Sequence, residues 1–243
     1  TAKPDGNTFM SADNAILAFN EHLFTKMPFS PEKDFTYVGG ISRFPLALVV
    51  HPSFEAKTVK EFLAYARANP GKLNYASPGN GSPHHLAMEM FKNRTSTFLT
   101  HIPYRGAAPA MQDVMGGQVP CMFLDLAAGL PVIQSGKVRA LAIGSAKRIA
   151  ALPDVPTLAE AGVPNTEVYA FQGILAPAGM PAAITARLNG DLNKALLNPA
   201  VVKRMTDFGM EPLPGTPEQF RTMARAESKR WGEIIKAAGV KLD

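Results

Sequence analysis

Cysteine is nearly absent from this chain: Cys121 is the only one in 243 residues. A lone cysteine excludes an internal disulfide framework and any cysteine-based metal cluster. It lies in the apolar run Val119-Pro-Cys-Met-Phe-Leu124, where a buried, inert thiol is expected. Low cysteine use does not fix the compartment. Long apolar runs are also missing. None approaches the ~18–20 residues that span a bilayer, and the opening Thr1-Ala-Lys-Pro-Asp-Gly6 carries no apolar signal-peptide core, so a soluble chain is expected. Catalytic and nucleotide motifs are missing as well. No His-Glu-x-x-His, Gly-x-Ser-x-Gly or Gly-Lys-Ser/Thr loop occurs, and Gly79-x-Gly81 lacks the third glycine of a dinucleotide fingerprint. His84 and His85 are adjacent, which on a helix turns their side chains about 100° apart. His22, His51 and His101 fall in separate elements. No metal or other cofactor is therefore expected.

What is present is a chain able to bury a core, with 46% hydrophobic residues. Its formal charge is +5, yet the 25 basic residues are scattered and form no stripe interleaved with aromatics. A small anionic ligand fits this distribution better than nucleic acid.

Hydrophobic periodicity predicts a strand over Thr8–Met10, a polar switch over Ser11–Asn14, and a helix over Ala15–Phe24 capped by Ser11, Asp13 or Asn14. Two apolar runs follow, Phe35–Ile41 and Leu46–Val50, broken by Ser42-Arg-Phe-Pro45 as a bend or crossing point between lobes. From Thr58 onward helices and strands alternate. The helices are Val59–Ala68, Pro83–Arg94, Ala107–Met115 and Leu126–Gln134, and the strands Leu73–Ala76, Phe98–Pro103, Val119–Leu124 and Val138–Ile143. Such alternation predicts a parallel sheet flanked by helices, with ligands at the carboxyl ends of the strands. A proline-rich connector and a short helix then lead to a strand over Val168–Ala176. The tail reads as three helices: Ala182–Leu197, Ala200–Phe208 and Pro217–Ala238. Phe220, Met223, Ala224, Trp231 and Ile234 form the packed face of the last.

The strand-to-helix step Leu73–Met90 organises this block. Ser77-Pro-Gly-Asn-Gly81 suits a turn with positive φ, and Ser82-Pro83 reads as an N-cap with proline at the first helical position. Two readings stand for its open N–H groups: an anion site beside the helix dipole, or a simple turn facing water. Asp125 likewise admits two roles, N-cap or ligand contact. Phe171 and Gln172 read as packing residues. Ser82 with His85, three residues on, is the only arrangement a hydrolase could use, and it lacks a third group to orient the histidine.

Several stretches in order resemble one family. Leu73-Asn-Tyr-Ala-Ser-Pro-Gly-Asn-Gly-Ser82 with His85-Leu86, His101-Ile-Pro-Tyr-Arg-Gly-Ala-Ala-Pro-Ala110, Gly116-Gly-Gln118, Gly136-Lys-Val-Arg-Ala-Leu-Ala142, Leu152-Pro-Asp-Val-Pro-Thr-Leu-Ala-Glu-Ala-Gly162, Ala176-Pro-Ala-Gly-Met-Pro181 and Ala237-Ala-Gly-Val-Lys-Leu-Asp243 are similar to the Bug, or TctC-like, solute receptors of tripartite tricarboxylate transporters. The resemblance implies an α/β, two-lobed periplasmic-binding-protein (Venus flytrap) fold, each lobe a mainly parallel sheet flanked by helices. Lobe 1 would comprise residues 1–44 and 167–243, and lobe 2 residues 45–166. It implies a monomeric, periplasmic, non-enzymatic receptor that holds a small organic acid between its lobes and delivers it to membrane permease subunits, or alternatively reports it to a signalling partner. The implied contacts are Ser11, Asp13, Asn14, Ser77, Asn80, Gly81, Ser82, His85, Asp125 and Phe171. Leu124 stands where members of the family commonly carry an acidic residue, with Asp125 one place later. Family members also begin with strand and helix units ahead of the stretch matching Pro4-Asp5-Gly6. The resemblance therefore implies that this chain is a piece of a longer protein, with lobe 1 incomplete and the other arm of the carboxylate grip outside it.

Overall fold

A computed structural model describes residues 2–243. The chain begins with β1 (Met10–Asp13), a π-helical turn over Ala15–Phe19, α1 (Asn20–Leu23), α2 (Pro31–Asp34) and β2 (Phe35–Val50). It continues through α3 (Val59–Ala68), β3 (Asn74–Ser77), α4 (Pro83–Thr95), β4 (Thr100–Pro103), α5 (Ala107–Met115), β5 (Cys121–Asp125), α6 (Leu126–Gln134) and β6 (Arg139–Ile143). The last elements are β7 (Tyr169–Pro177), α7 (Ala182–Leu196), α8 (Pro199–Asp207), β8 (Glu211–Pro212) and α9 (Pro217–Ala238). Packing divides the chain into two units: Thr1–Arg43 with Ala170–Asp243, and Phe44–Tyr169. We call them unit 1 and unit 2.

In unit 2 the sheet order is β4-β3-β5-β2-β6. β3 runs parallel to β4 and to β5, because each of these strands is reached through a crossover helix, α4 or α5. β2 runs antiparallel to both β5 and β6. Successive residues of β5 face opposite sides. Met122 and Leu124 join Ala47, Val49, Ala76, Val114 and Leu130 on one face, while Phe123 meets Phe91 edge-on at 6.1 Å on the other. Both faces are covered, so the strands read as nearly continuous apolar runs.

Unit 1 pairs β1 antiparallel to β7 and β8 antiparallel to β2, with β7 beside β2. Gly173 of β7 lies where a Cβ would come within 2.0 Å of the Phe220 ring, so only glycine lets α9 seat there. α9 opens with a reciprocal capping box between Thr216 and Gln219 and closes on Gly239 at φ 65°. Trp231, fully buried, packs edge-on against Phe19 at 5.2 Å.

The structure corrects several local expectations. The parallel pattern expected of each lobe holds for β3 with β4 and β5, whereas β1 with β7, β8 with β2, and β2 with β5 and β6 pair antiparallel. Ser11, Ala12 and Asp13, read as a polar switch, are strand residues paired with Ile174, Gly173 and Gln172. The following helix is a π-helical turn joined to a single α-turn. The two apolar runs around Pro45 form one 16-residue strand. The short helix expected after the proline-rich connector is a series of turns, with Ala161 N–H bonded to Thr157 O. On α9 the buried isoleucine is Ile235 rather than Ile234.

Candidate ligand-binding site

β3 ends at Ser77, whose side chain is fully buried, and the chain turns through Gly79 at φ 144° and Gly81 at φ 72° into α4. Both angles lie in the region where glycine carries no steric cost. Ser77 Oγ accepts from the Gly79 N–H at 3.1 Å. Ser82 caps α4: its Oγ accepts from the His85 N–H at 3.3 Å and donates to Gly79 O at 2.8 Å. Tyr104 N–H bonds Ser77 O at 2.9 Å and Gly106 N–H bonds Pro78 O at 3.0 Å, which ties the turn to the loop after β4. Two donors remain. The N–H groups of Asn80 and His84 have no hydrogen-bond partner among the described residues. They sit at the positive end of the 13-residue α4 beside the exposed Asn80 side chain, an arrangement suited to a carboxylate.

The loop is shaped from beneath by neutral histidines. Gly81 N–H donates to His85 Nδ1 at 3.0 Å, so that nitrogen is unprotonated and the ring proton sits on Nε2. Nε2 lies 3.8 Å from Glu89 Oε1. The His85 ring stacks on His101 at 4.0 Å, and His101 stacks on Tyr75 at 4.8 Å. His101 Nε2 shares a 2.6 Å hydrogen bond with Ser77 Oγ. Burial lowers the His85 pKa, against the pull of Glu89. Burial, with the neighbouring His85 ring, pushes His101 down to about 4.

Asp125 ends β5 and caps α6, its Oδ1 accepting from the Ala128 N–H at 2.9 Å. Its Oδ2 lies 3.3 Å from His84 Nε2. Burial raises the Asp125 pKa, but the His84 hydrogen bond and charge and the Ala128 N–H outweigh it and hold the carboxyl below its usual range. A His84–Asp125 pair thus links the amino ends of α4 and α6, the helices that follow adjacent strands β3 and β5.

Four other predicted site residues belong to unit 1. Ser11 and Asp13 are exposed on β1. Of the three candidate caps only Asp13 serves, its Oδ1 accepting from Ala15 N–H at 3.0 Å and Ile16 N–H at 3.3 Å. Asn14 is fully buried, and its Oδ1 accepts from the Phe171 N–H at 2.7 Å. Phe171 packs edge-on to Phe220 at 6.3 Å. Unit 2 accordingly gathers Ser77, Asn80, Gly81, Ser82, His85 and Asp125, and unit 1 gathers Asp13, Asn14 and Phe171. Among the described residues no three His, Cys, Asp or Glu side chains converge on a metal position.

Residues 1–240 match the family model of the TctC proteins, described as tripartite tricarboxylate transporter family receptors. The chain belongs to the TctC family. BugT of Bordetella pertussis is 35% identical over 239 residues, covering 98% of this chain and 73% of that protein. A solved structure of R. palustris Rpa4515 with adipate superposes at a TM-score of 0.94, with 34% identity over 99% of this chain and 81% of that one. MatC from Rhodopseudomonas palustris, with bound malate, gives a TM-score of 0.85 and 33% identity over 96% of this chain and 81% of that one. The family and these neighbours are solute-binding receptors, so this TctC protein is a receptor and not an enzyme. The hydrolase alternative has no geometry behind it either. His85 Nδ1 is taken by Gly81 N–H, and the Ser82 hydroxyl proton goes to Gly79 O.

Residue reasoning missed three parts of this TctC site: His84, His101 and Tyr75. Tyr75 and His101 are register partners on neighbouring strands, and His85 lies on the helix between those strands. A signal existed in the pairing of an aromatic with a histidine at equivalent strand positions, but it is readable only once β3 and β4 are aligned.

Proposed function

We propose that the protein is an extracytoplasmic, periplasmic receptor that binds a small organic acid, a carboxylate or dicarboxylate, and delivers it to the membrane permease subunits of a tripartite transporter. The observation that carries this reading is the pair of open N–H groups on Asn80 and His84 at the amino end of α4, next to the capping Ser82. Charge-assisted hydrogen bonds of this kind contribute roughly 1.5–3 kcal/mol each. The rigid turn beneath them limits the ordering cost of binding. Adipate and malate on two neighbours of the family support the ligand class. Ser77 and His85 act in this proposal by holding the loop, and Asn14 by holding Phe171, while Ser11 and Asp13 are candidate contacts of unit 1.

Isothermal titration of the full-length protein against C4 to C9 mono- and dicarboxylates tests the binding step. Saturable heat for at least one acid, weakened in Ser82→Ala, is the expected result. Absence of heat and of thermal stabilisation across the panel would overturn the proposal.

A further inference from the structure

The loop after β4, Tyr104-Arg105-Gly106, is fixed against the Ser77–Gly81 turn. Tyr104 N–H meets Ser77 O at 2.9 Å and Gly106 N–H meets Pro78 O at 3.0 Å. A Cβ on Gly79 would stand 3.4 Å from Tyr104 O, so the two backbones are in contact. The Tyr104 hydroxyl donates to Asp113 Oδ2 at 2.6 Å, which anchors the loop to α5 as well. Arg105 lies between two residues held in this way. It is exposed, and its guanidinium has no hydrogen-bond or ion-pair partner among the described residues.

The charge on Arg105 is permanent, because a guanidinium does not deprotonate in proteins. Its sign matters to the turn. Asp125 is held ionised 3.3 Å from His84 Nε2, so an acid seated on the Asn80 and His84 N–H groups meets negative charge from the end of β5. Arg105 supplies the opposite sign from the end of β4. The backbone contact between loop and turn sets its charge on the order of 10 Å from such an acid, about the Debye length at 0.1 M salt. At that range an unpaired cation attracts every charge on the ligand, and the attraction grows with the number of charges.

We infer that Arg105 is a specificity-determining residue, whose free guanidinium favours a dicarboxylate over the monocarboxylate of the same chain length. This rests on the carboxylate reading above and narrows it to dianions.

The test compares succinate with butyrate and adipate with hexanoate, by isothermal titration of the full-length protein at neutral pH in about 0.1 M and about 1 M salt, where the Debye length falls to roughly 3 Å. Arg105→Gln is expected to weaken a monocarboxylate roughly 2-fold and a dicarboxylate roughly 4-fold at the lower salt, and to lose its effect at the higher. Arg105→Lys keeps the charge and should restore the dicarboxylate preference. Lys72→Gln removes an exposed charge from the opposite end of β3 and should leave both ligands within the error of wild type. Equal weakening of both members of a pair, or a loss that survives 1 M salt and is not rescued by Arg105→Lys, would mean that Arg105 acts by shaping the loop and would overturn the inference. Should Arg105→Gln fail to fold, the salt dependence of the wild type decides: dicarboxylate affinity should fall more steeply with salt than monocarboxylate affinity, and equal slopes refute the assignment. Unchanged affinities in Arg105→Gln overturn the role of Arg105 but leave the carboxylate receptor standing. Absence of binding by every acid overturns both.

Discussion

Mild acid should destabilise unit 2 through His101. The ring is neutral in the fold, stacked between His85 and Tyr75 and hydrogen-bonded to Ser77, with Glu89 and Lys92 as the charged groups around it. Its pKa falls from 6.5 to about 4 in the folded state. Between these values the unfolded chain binds the proton and the folded chain does not, so stability falls as pH falls. The contribution is fully present above pH ~6.5 and is lost progressively down to about 4. At pH 5 the unfolded histidine is almost fully protonated, and at about 1.4 kcal/mol per pH unit the loss relative to pH 7 is on the order of 2 kcal/mol. Urea unfolding followed by far-UV circular dichroism at pH 5, 6, 7 and 8 measures it, with hydrogen exchange of the α4 amides as the local readout. His101→Gln keeps an atom near Nε2 for Ser77 but cannot titrate, so its stability should fall less over this range, the remaining slope coming from groups it shares with the wild type such as His85, whose pKa burial also lowers. Carboxylates with lowered pKa, such as Asp125, titrate in both proteins and cancel. If wild type and His101→Gln lose the same stability between pH 7 and 5, the neutral-histidine argument is wrong.

Other perturbations have equally defined outcomes. Ser82→Ala removes the cap of α4 and the tie to Gly79 O; a loss of about 1 kcal/mol in urea unfolding is expected. Gly81→Ala forces a side chain onto φ 72° and should cost about 1–2 kcal/mol. Its carboxylate affinity should fall because Gly81 N–H no longer registers on His85, and unchanged titration curves would refute that link. Asn14→Ala leaves the Phe171 N–H buried and unpaired, a cost of about 1–3 kcal/mol, read by thermal unfolding. Trp231→Ala, at a fully buried position against Phe19, should cost about 3–5 kcal/mol and is the largest single loss expected in unit 1.

The elements legible in the sequence are those whose cause is local. Helices Ala107–Met115, Leu126–Gln134 and Pro217–Ala238 have the predicted limits, since their boundary signals are local: flanking Gly106 and Gly116 for the first, the Asp125 cap for the second, and the Thr216 cap with Gly239 for the third. Ser82 and Asp125 were legible as caps for the same reason. What escaped depends on partners far along the chain. Ser11–Asp13 becomes strand only because Gln172–Ile174 lies beside it, and the run around Pro45 stays extended because β5, β6 and β8 pair with either end of it. At the site, the positive-φ glycines were readable from their neighbours. The role of His84 was not, because Asp125 lies 41 positions away and adjacency to His85 suggested only a metal question.

Cys121 gives the molecule a practical property. The thiol is fully buried, donates to Asn74 O at 3.3 Å, and burial raises its pKa far above the range where a reactive thiolate forms. A cysteine introduced at a surface position would therefore be the only one to react with a maleimide or other alkylating dye. Asn80 is such a position: its side chain is exposed and unbonded, while its backbone N–H is what the loop offers to a ligand. Asn80→Cys carrying an environment-sensitive fluorophore would turn the receptor into a reagentless optical sensor, with no native thiol to remove first.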